Sequence, residues 1–170
     1  MNTQWIILLI SIPQIPGFLE FNNVRCIVRD KKFMEYDYCF LKSVNRTFKY
    51  LSLKTKIHRL PIEECVTMVQ IRQRENRRIL YNFDVKLDGC KFLRDRSNVV
   101  ANWLYQIFEP FSNMNHTCPY NHDIILEKVP VQYVNKLIQT VIPDGRFYIN
   151  SSWVVGGITR TDFLIYFTKS

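Results

Sequence analysis

Ile79-Leu-Tyr-Asn-Phe-Asp-Val-Lys-Leu-Asp88 is the most regular stretch of the chain. Ile79, Tyr81, Phe83, Val85 and Leu87 share one parity, and Asn82, Asp84, Lys86 and Asp88 share the other. This is the period of a strand with one face on a core and one in water. The pattern repeats on both sides. Upstream, Val66 to Ile71 is an apolar run of strand length, and Arg72-Gln-Arg-Glu-Asn-Arg-Arg78 between the two runs reads as a solvated hairpin turn. Before it, Val24, Cys26 and Val28 alternate with Asn23, Arg25 and Arg29. Residues 33–42 are dense in aromatics. In 47–57, Phe48 and Tyr50 have one parity and Leu51, Leu53 and Ile57 the other, a phase change that predicts a bulge in that strand. Downstream, 122–129 is a further strand, and Pro130 opens a short helix or extended turn. Pro143-Asp144-Gly145 and Gly156-Gly157 are turn signals around Phe147, Ile149 and Trp153 and around Phe163, Ile165 and Phe167. About eight strands at these short intervals predict an all-β fold, an antiparallel β-sandwich or barrel.

One helix interrupts the series. Val99, Val100, Trp103, Leu104, Ile107, Phe108 and Phe111 recur at spacings of three and four, the stripe of an amphipathic helix. Ser97 or Asp95 would cap its start and Pro110 cannot continue it, which places the helix near 96–110. Cys90 and Cys118 flank it, and a disulfide between them would clip the helix to the strand that ends at Asp88.

The chain has 170 residues, 47% of them hydrophobic, enough for one domain with a substantial core. Residues 1–17 carry no charged side chain, and the apolar run Trp5 to Ile12 has the length of a secretory signal rather than of a membrane span. A buried N-terminal strand is the competing reading. Asn45-Arg-Thr47, Asn115-His-Thr117 and Asn150-Ser-Ser152 are glycosylation acceptors, with Asn45, Asn115 and Asn150 as the sites. Five cysteines occur with no Cys-x-x-Cys pair, so disulfides are the expected use and one thiol is left over. The expected location is therefore extracellular. A net charge of +8 would point to nucleic acid inside a cell. Secretion removes that partner, and the charge is expected to serve solubility or contact with a membrane surface or a receptor, the 72–78 turn being its densest cluster.

Tyr38-Cys39, Lys42-Ser-Val-Asn-Arg-Thr-Phe-Lys-Tyr-Leu-Ser52, Asp88-Gly-Cys-Lys-Phe-Leu93 and Asn115-His-Thr-Cys-Pro-Tyr120 carry a resemblance. In this order and spacing they resemble the signature of a large insect family of small secreted proteins of unknown function, grouped with the ML-type lipid-recognition superfamily. The similarity covers about 21–168, the expected single domain. It implies an immunoglobulin-like β-sandwich whose sheets splay apart to admit lipid, and for some relatives a chemosensory role in pheromone perception. The family's four cysteines match Cys26, Cys39, Cys90 and Cys118, which leaves Cys65 unpaired. Cys26 with Cys39 and Cys90 with Cys118 is the expected pairing, each joining neighbours in the proposed strand order; the crossed pairing, Cys26 with Cys118 and Cys39 with Cys90, is the alternative.

No catalytic motif is present: no Gly-x-Ser-x-Gly, no His-Glu-x-x-His and no phosphate-cradling glycine loop. His116, His122 and Asp123 lie close in sequence, but a polar loop around a disulfide accounts for them, so neither catalysis, metal nor cofactor is expected. Aromatics are 14% of the chain. On facing sheets they either fill the gap of about 10 Å or line it. With the resemblance, the expected function is binding of a lipid or other small apolar ligand between the sheets. Phe83, Trp103, Ile107, Phe108, Phe147, Trp153 and Phe163 are the candidate lining residues. The alternative is a secreted sandwich that binds another protein or receptor without a lipid.

Overall fold

The computed structural model describes residues 18–170; the expected signal segment lies outside them. The chain forms an antiparallel β-sandwich. Its strands are β1 (Leu19–Val28), β2 (Met34–Ser43), β3 (Lys49–Ile57), β4 (Val66–Gln73), β5 (Ile79–Asp88), β6 (Ile125–Pro130), β7 (Gly145–Val155) and β8 (Ile158–Lys169). One sheet has the order β1-β8-β7-β4-β5 and the other β2-β3-β6. Between β7 and β8, Gly156 and Gly157 have φ of 61° and 71°. Two consecutive positive φ angles make the tight hairpin whose twist matches the strands, and glycine adopts them without strain.

The sheets differ in width, and this organises the molecule. Along one side, edge strand β1 lies over edge strand β2, and Cys26 is joined to Cys39 across them with the Cα atoms 6.3 Å apart. The expected partners are the observed ones, but the reason differs. β1 and β2 do not pair as a hairpin; they lie in different sheets, so the bridge clamps the sandwich shut. Along the other side, the narrow sheet ends at β6 and leaves β4 and β5 uncovered. Helices α1 (Gly89–Asp95) and α2 (Val99–Gln106) cover them, followed by a 3-10 turn at Glu109–Phe111. Cys90 of α1 is joined to Cys118 in the following loop, Cα to Cα 5.2 Å.

The helix expected at 96–110 is α2, shorter at both ends and followed by the 3-10 turn, while α1 precedes it as a helix the sequence reading does not foresee. Asp88 caps α1, its Oδ1 accepting from the Lys91 amide at 3.0 Å, and Arg96 ends it in the left-handed region at φ 49°. Asn98, rather than Ser97 or Asp95, caps α2 by accepting from the Ala101 amide at 2.9 Å. An N-cap satisfies amides that lack a partner inside the helix. Val99, expected in the apolar stripe, is 81% exposed because it stands in the first turn beyond the strand it would cover. Asp95 instead accepts from the Ser97 amide and hydroxyl at 3.1 and 3.0 Å, holding the break.

The expected bulge in β3 also falls elsewhere. β3 runs regularly with Leu51, Leu53 and Ile57 inward, while its neighbours carry the extra residues. Register shifts between Tyr36 and Tyr38 of β2, and β6 passes from Leu126 to Val129 while β3 passes only from Leu53 to Leu51. Lys128 in that β6 bulge has φ 52°. The strand expected at 122–129 begins later, its ladder starting at Ile125. Helix α3 (Val131–Ile138) follows, burying Val131, Val134 and Ile138 against β1 and β6. Asn135 Oδ1 accepts from the Leu19 amide at 3.0 Å, so α3 closes one end of the sandwich.

Candidate functional site

The space under α1 and α2 is not filled. A cavity of about 150 Å³ lies there, between the uncovered strands, the helices and the edge of the narrow sheet. Alternate residues face one way along a strand, so β4 supplies Thr67 and Val69, β5 supplies Val85 and Leu87, and β7 supplies Ile149, Ser151 and Trp153. Phe163 of β8, Leu53 of β3 and Leu126 of β6 complete the walls, and Phe92, Leu93, Ala101, Leu104 and Tyr105 form the roof. Phe108, Met114 and Ile124 also line it.

No charged side chain lines this cavity among the described residues, and its polar groups are already engaged. Ser151 Oγ accepts from Trp153 Nε1 at 3.0 Å, and the Tyr105 hydroxyl donates to the Met114 carbonyl. The chemistry on offer is apolar contact. An apolar void on the order of 150 Å³ stays dry and admits a benzene-sized body; a polar guest would find no free partner here.

A second lobe of about 80 Å³ adjoins it, sharing Thr67, Gly89, Leu93, Met114, Ile124 and Trp153. Gly89 sits where β5 turns into α1, its amide donating to the Cys65 carbonyl at 2.7 Å. A Cβ there would lie 3.3 Å from that carbonyl oxygen and from Thr67 Oγ1, so any other residue would push into this junction. Arg160 borders the second lobe without bringing a free charge. Its guanidinium lies 4.4 Å over the Phe33 ring, donates to the Val155 carbonyl at 3.0 Å and pairs with Asp30. Desolvation is the largest single influence on Asp30 and raises its pKa, but the Arg160 hydrogen bond and charge, together with the Lys32 and Phe33 amides, hold it below the usual value.

Of the seven expected lining residues, Phe108, Trp153 and Phe163 face the cavity. Ile107 and Phe147 are each 1% exposed and packed in the core beside it. Phe83 and Trp103 pair at 5.5 Å, which docks α2 on β5 outside the lining. The residues not singled out from the sequence, chiefly Val69, Phe92, Leu93, Leu104, Tyr105, Met114 and Ile124, make up most of the surface. Asp88 three residues ahead of Lys91 is the signal that would have found α1 and with it Phe92 and Leu93.

Of the three glycosylation acceptors, Asn45 and Asn115 are exposed, whereas Asn150 stands in β7 between β4 and β8. Asn45 Oδ1 accepts from the amides of Thr47 and Phe48 at 2.9 and 2.7 Å in the turn joining β2 and β3. Cys65 is the free cysteine, and burial pushes its thiol up to about 11. No helix among the described residues is long and apolar enough to cross a membrane.

Fold and site together define a small, disulfide-clamped β-sandwich with an apolar cavity open between its sheets. Residues 67–149 match the model of a family described as "Protein of unknown function (DUF1091)". That span runs from β4 into β7 and takes in α1, α2 and the greater part of the cavity wall. No curated protein matches the chain.

Proposed function

We propose that the protein is a secreted carrier for a small apolar ligand, a lipid or one end of a lipid chain, held between the sheets. The observation that supports this reading is the apolar cavity under α1 and α2. An ordinary sandwich fills that volume, since protein interiors are packed as densely as organic crystals. The clamp at Cys26 and Cys39 closes the opposite side and leaves the β5–β6 side as the place for entry. The resemblance of the sequence motifs to ML-type proteins favours the same reading, including a chemosensory role. The protein carries no catalysis in this proposal; the Ser151 and Tyr105 hydroxyls in the lining are already hydrogen-bonded, and no carboxylate or imidazole stands beside them in it.

Each buried methylene contributes about 0.8 kcal/mol, against an association cost on the order of 4–15 kcal/mol. A preformed cavity is therefore what makes binding favourable. Native mass spectrometry of gently purified protein, with displacement of a fluorescent apolar probe by fatty acids, hydrocarbons and glycolipids, tests the proposal. Absence of any bound molecule together with no displacement would overturn it.

One observation favours a second reading, a module that docks on another protein. On the outer face of the narrow sheet, Tyr38, Phe40, Tyr50 and Phe48 follow one another at 5.7, 6.4 and 6.2 Å. Phe40 is 39% exposed. Substituting Phe40 by Ser separates the two, because it leaves the cavity untouched.

A further inference from the structure

We propose that the β4–β5 hairpin, with the outer face of the wide sheet beside it, is a docking surface for a sulfated polysaccharide. Arg72, Arg74, Arg77 and Arg78 fall in one short stretch, and among the described residues none of them pairs with a carboxylate. Glu75, the one acid of the hairpin, is taken by Arg146 at 2.7 Å. Arg72 follows buried Ile71, and the Arg74 amide donates to the carbonyl of Arg146, which precedes buried Phe147. Alternation therefore puts Arg72, Arg74 and Arg146 on the outer face. Tyr148 and Tyr166 share that face, their rings 5.5 Å apart, and the Arg74 guanidinium lies 5.5 Å over the Tyr166 ring.

The hairpin holds these groups in place. The Gln73 amide donates to the Arg78 carbonyl at 2.9 Å, and the Arg77 amide to the Gln73 carbonyl at 3.0 Å. Arg72 donates from Nε and Nη2 to Gln70 Oε1 at 3.0 and 2.8 Å, and from Nη1 to the Arg77 carbonyl at 2.9 Å. Arg77 has φ 58°, a left-handed conformation that Gly or Asn takes at less cost. Strain kept in this way points to a use for the side chain.

Guanidinium groups grip oxyanions through two parallel N–H bonds, which an ammonium does not offer. The 72–78 stretch contains arginines and no lysine. The paired tyrosines add flat rings on which a sugar ring can lie. A lipid surface fits less well, since no exposed large apolar side chain stands in the hairpin to enter a bilayer. The arginines also run from the sheet face round the turn, a course that a flexible chain follows and a plane does not. Asn150 stands two residues along β7 from Tyr148, on the side away from the hairpin, so a glycan there leaves the arginines open. The class of partner rests on the secreted reading of the chain, which recovery from the medium tests separately; the cavity takes no part.

Binding of size-fractionated heparin to the secreted chain, followed against salt, tests the surface. Bound arginines release counterions condensed on the polyanion, so log Kd should rise with log salt at a slope of about 3–4. Combining Arg74→Gln, Arg77→Gly and Arg78→Gln should weaken binding about tenfold or more and lower the slope by roughly one per arginine. Retention of an apolar probe should stay at the parental level. Combining Lys31→Gln, Lys32→Gln and Arg59→Gln removes the same charge at the opposite end of the sandwich and should change affinity less than about twofold. In the unsubstituted chain, a heparin oligosaccharide should shift the ring resonances of Tyr148 and Tyr166, a readout that needs no variant to fold. Equal losses in the two triple variants would reduce the effect to bulk charge, and equal binding of desulfated heparin would remove the sulfate. Phosphatidylserine vesicles bound as tightly, and lost in the same hairpin variant, would assign the surface to a membrane. Any of these results, no heparin binding, or unshifted tyrosines would overturn the proposal.

Discussion

Cys26 and Cys39 stand on edge strands of opposite sheets, and their bond ties the sandwich along the side away from the cavity. Opening this bond acts on the whole molecule, because among the described residues no strand is shared by the two sheets. With a separation of 13 residues, the loop-entropy estimate gives about 3 kcal/mol. Replacing both cysteines by Ala should lower the urea midpoint accordingly. It should also weaken retention of an apolar probe, since splayed sheets lose the preformed cavity. A loss of stability with undiminished retention would mean that the clamp does not set the cavity's shape.

Val69 looks into the cavity from the middle of β4. Phe there fills space that is otherwise empty and keeps a side chain suited to a strand. The expected outcome of Val69→Phe is a fold at least as stable as the parent, with probe binding reduced by tenfold or more. Thermal melts and fluorescence titration read the two effects separately. Stable protein with parental binding would place the ligand elsewhere.

The sandwich was legible in the sequence because its strands are half-buried, and alternation such as Ile79 to Asp88 survives any detail of packing. The cysteine partners were legible too. The cavity was not. Phe147 and Phe163 both face inward, yet Phe147 packs in the core and Phe163 borders empty space; the difference lies in what stands opposite, which periodicity does not carry. The helix at 96–110 misled for a related reason. Its apolar stripe begins at Val99, and the Asp95–Ser97 hydrogen bonds with the left-handed Arg96 keep 96–98 out of the helix. α1 lies before that break and roofs the cavity with Phe92 and Leu93.

Cys65 gives a pH dependence with a definite sign. Burial is the main cause that raises its thiol to about 11 from 9.0, with the nearby Asp88 charge adding to it and the Thr67 hydroxyl opposing it. The unfolded chain loses this proton first. Stability from the neutral thiol is therefore complete below pH 9 and is lost as pH rises through the interval to about 11. Cys65→Ala should flatten that part of the stability curve relative to the parent, leaving the contribution of Tyr36 and Tyr120, raised to about 12, above it. The thiol should resist alkylation at pH 8 in the native protein and react on unfolding. Rapid native alkylation would show that the α1 end opens freely.

Arg96 joins the two roof helices, and its substitution separates gating from stability. Its Nη1 lies 2.6 Å from Glu109 Oε1, and its guanidinium sits 4.8 Å over the Tyr105 ring. Tyr105 in turn meets Phe92 edge to face at 5.8 Å, so one side chain links α1, α2 and the 3-10 turn above the cavity. Both charged groups are about a third exposed. Such a pair is worth roughly 0–1 kcal/mol, and the cation–π contact about 0.5–1 kcal/mol. Arg96 also adopts φ 49°, which costs an ordinary residue about 1–2 kcal/mol and glycine almost nothing. In Arg96→Gly the lost contacts and the relieved backbone nearly cancel, so the melting temperature should move by only a few degrees. The roof loses its strap all the same, and stopped-flow displacement should show an apolar probe leaving several-fold faster. Arg96→Ala, which keeps the strained backbone and loses the contacts, should release the probe as fast and melt lower. Release at the parental rate in both variants would show that exchange does not pass through the α1–α2 joint.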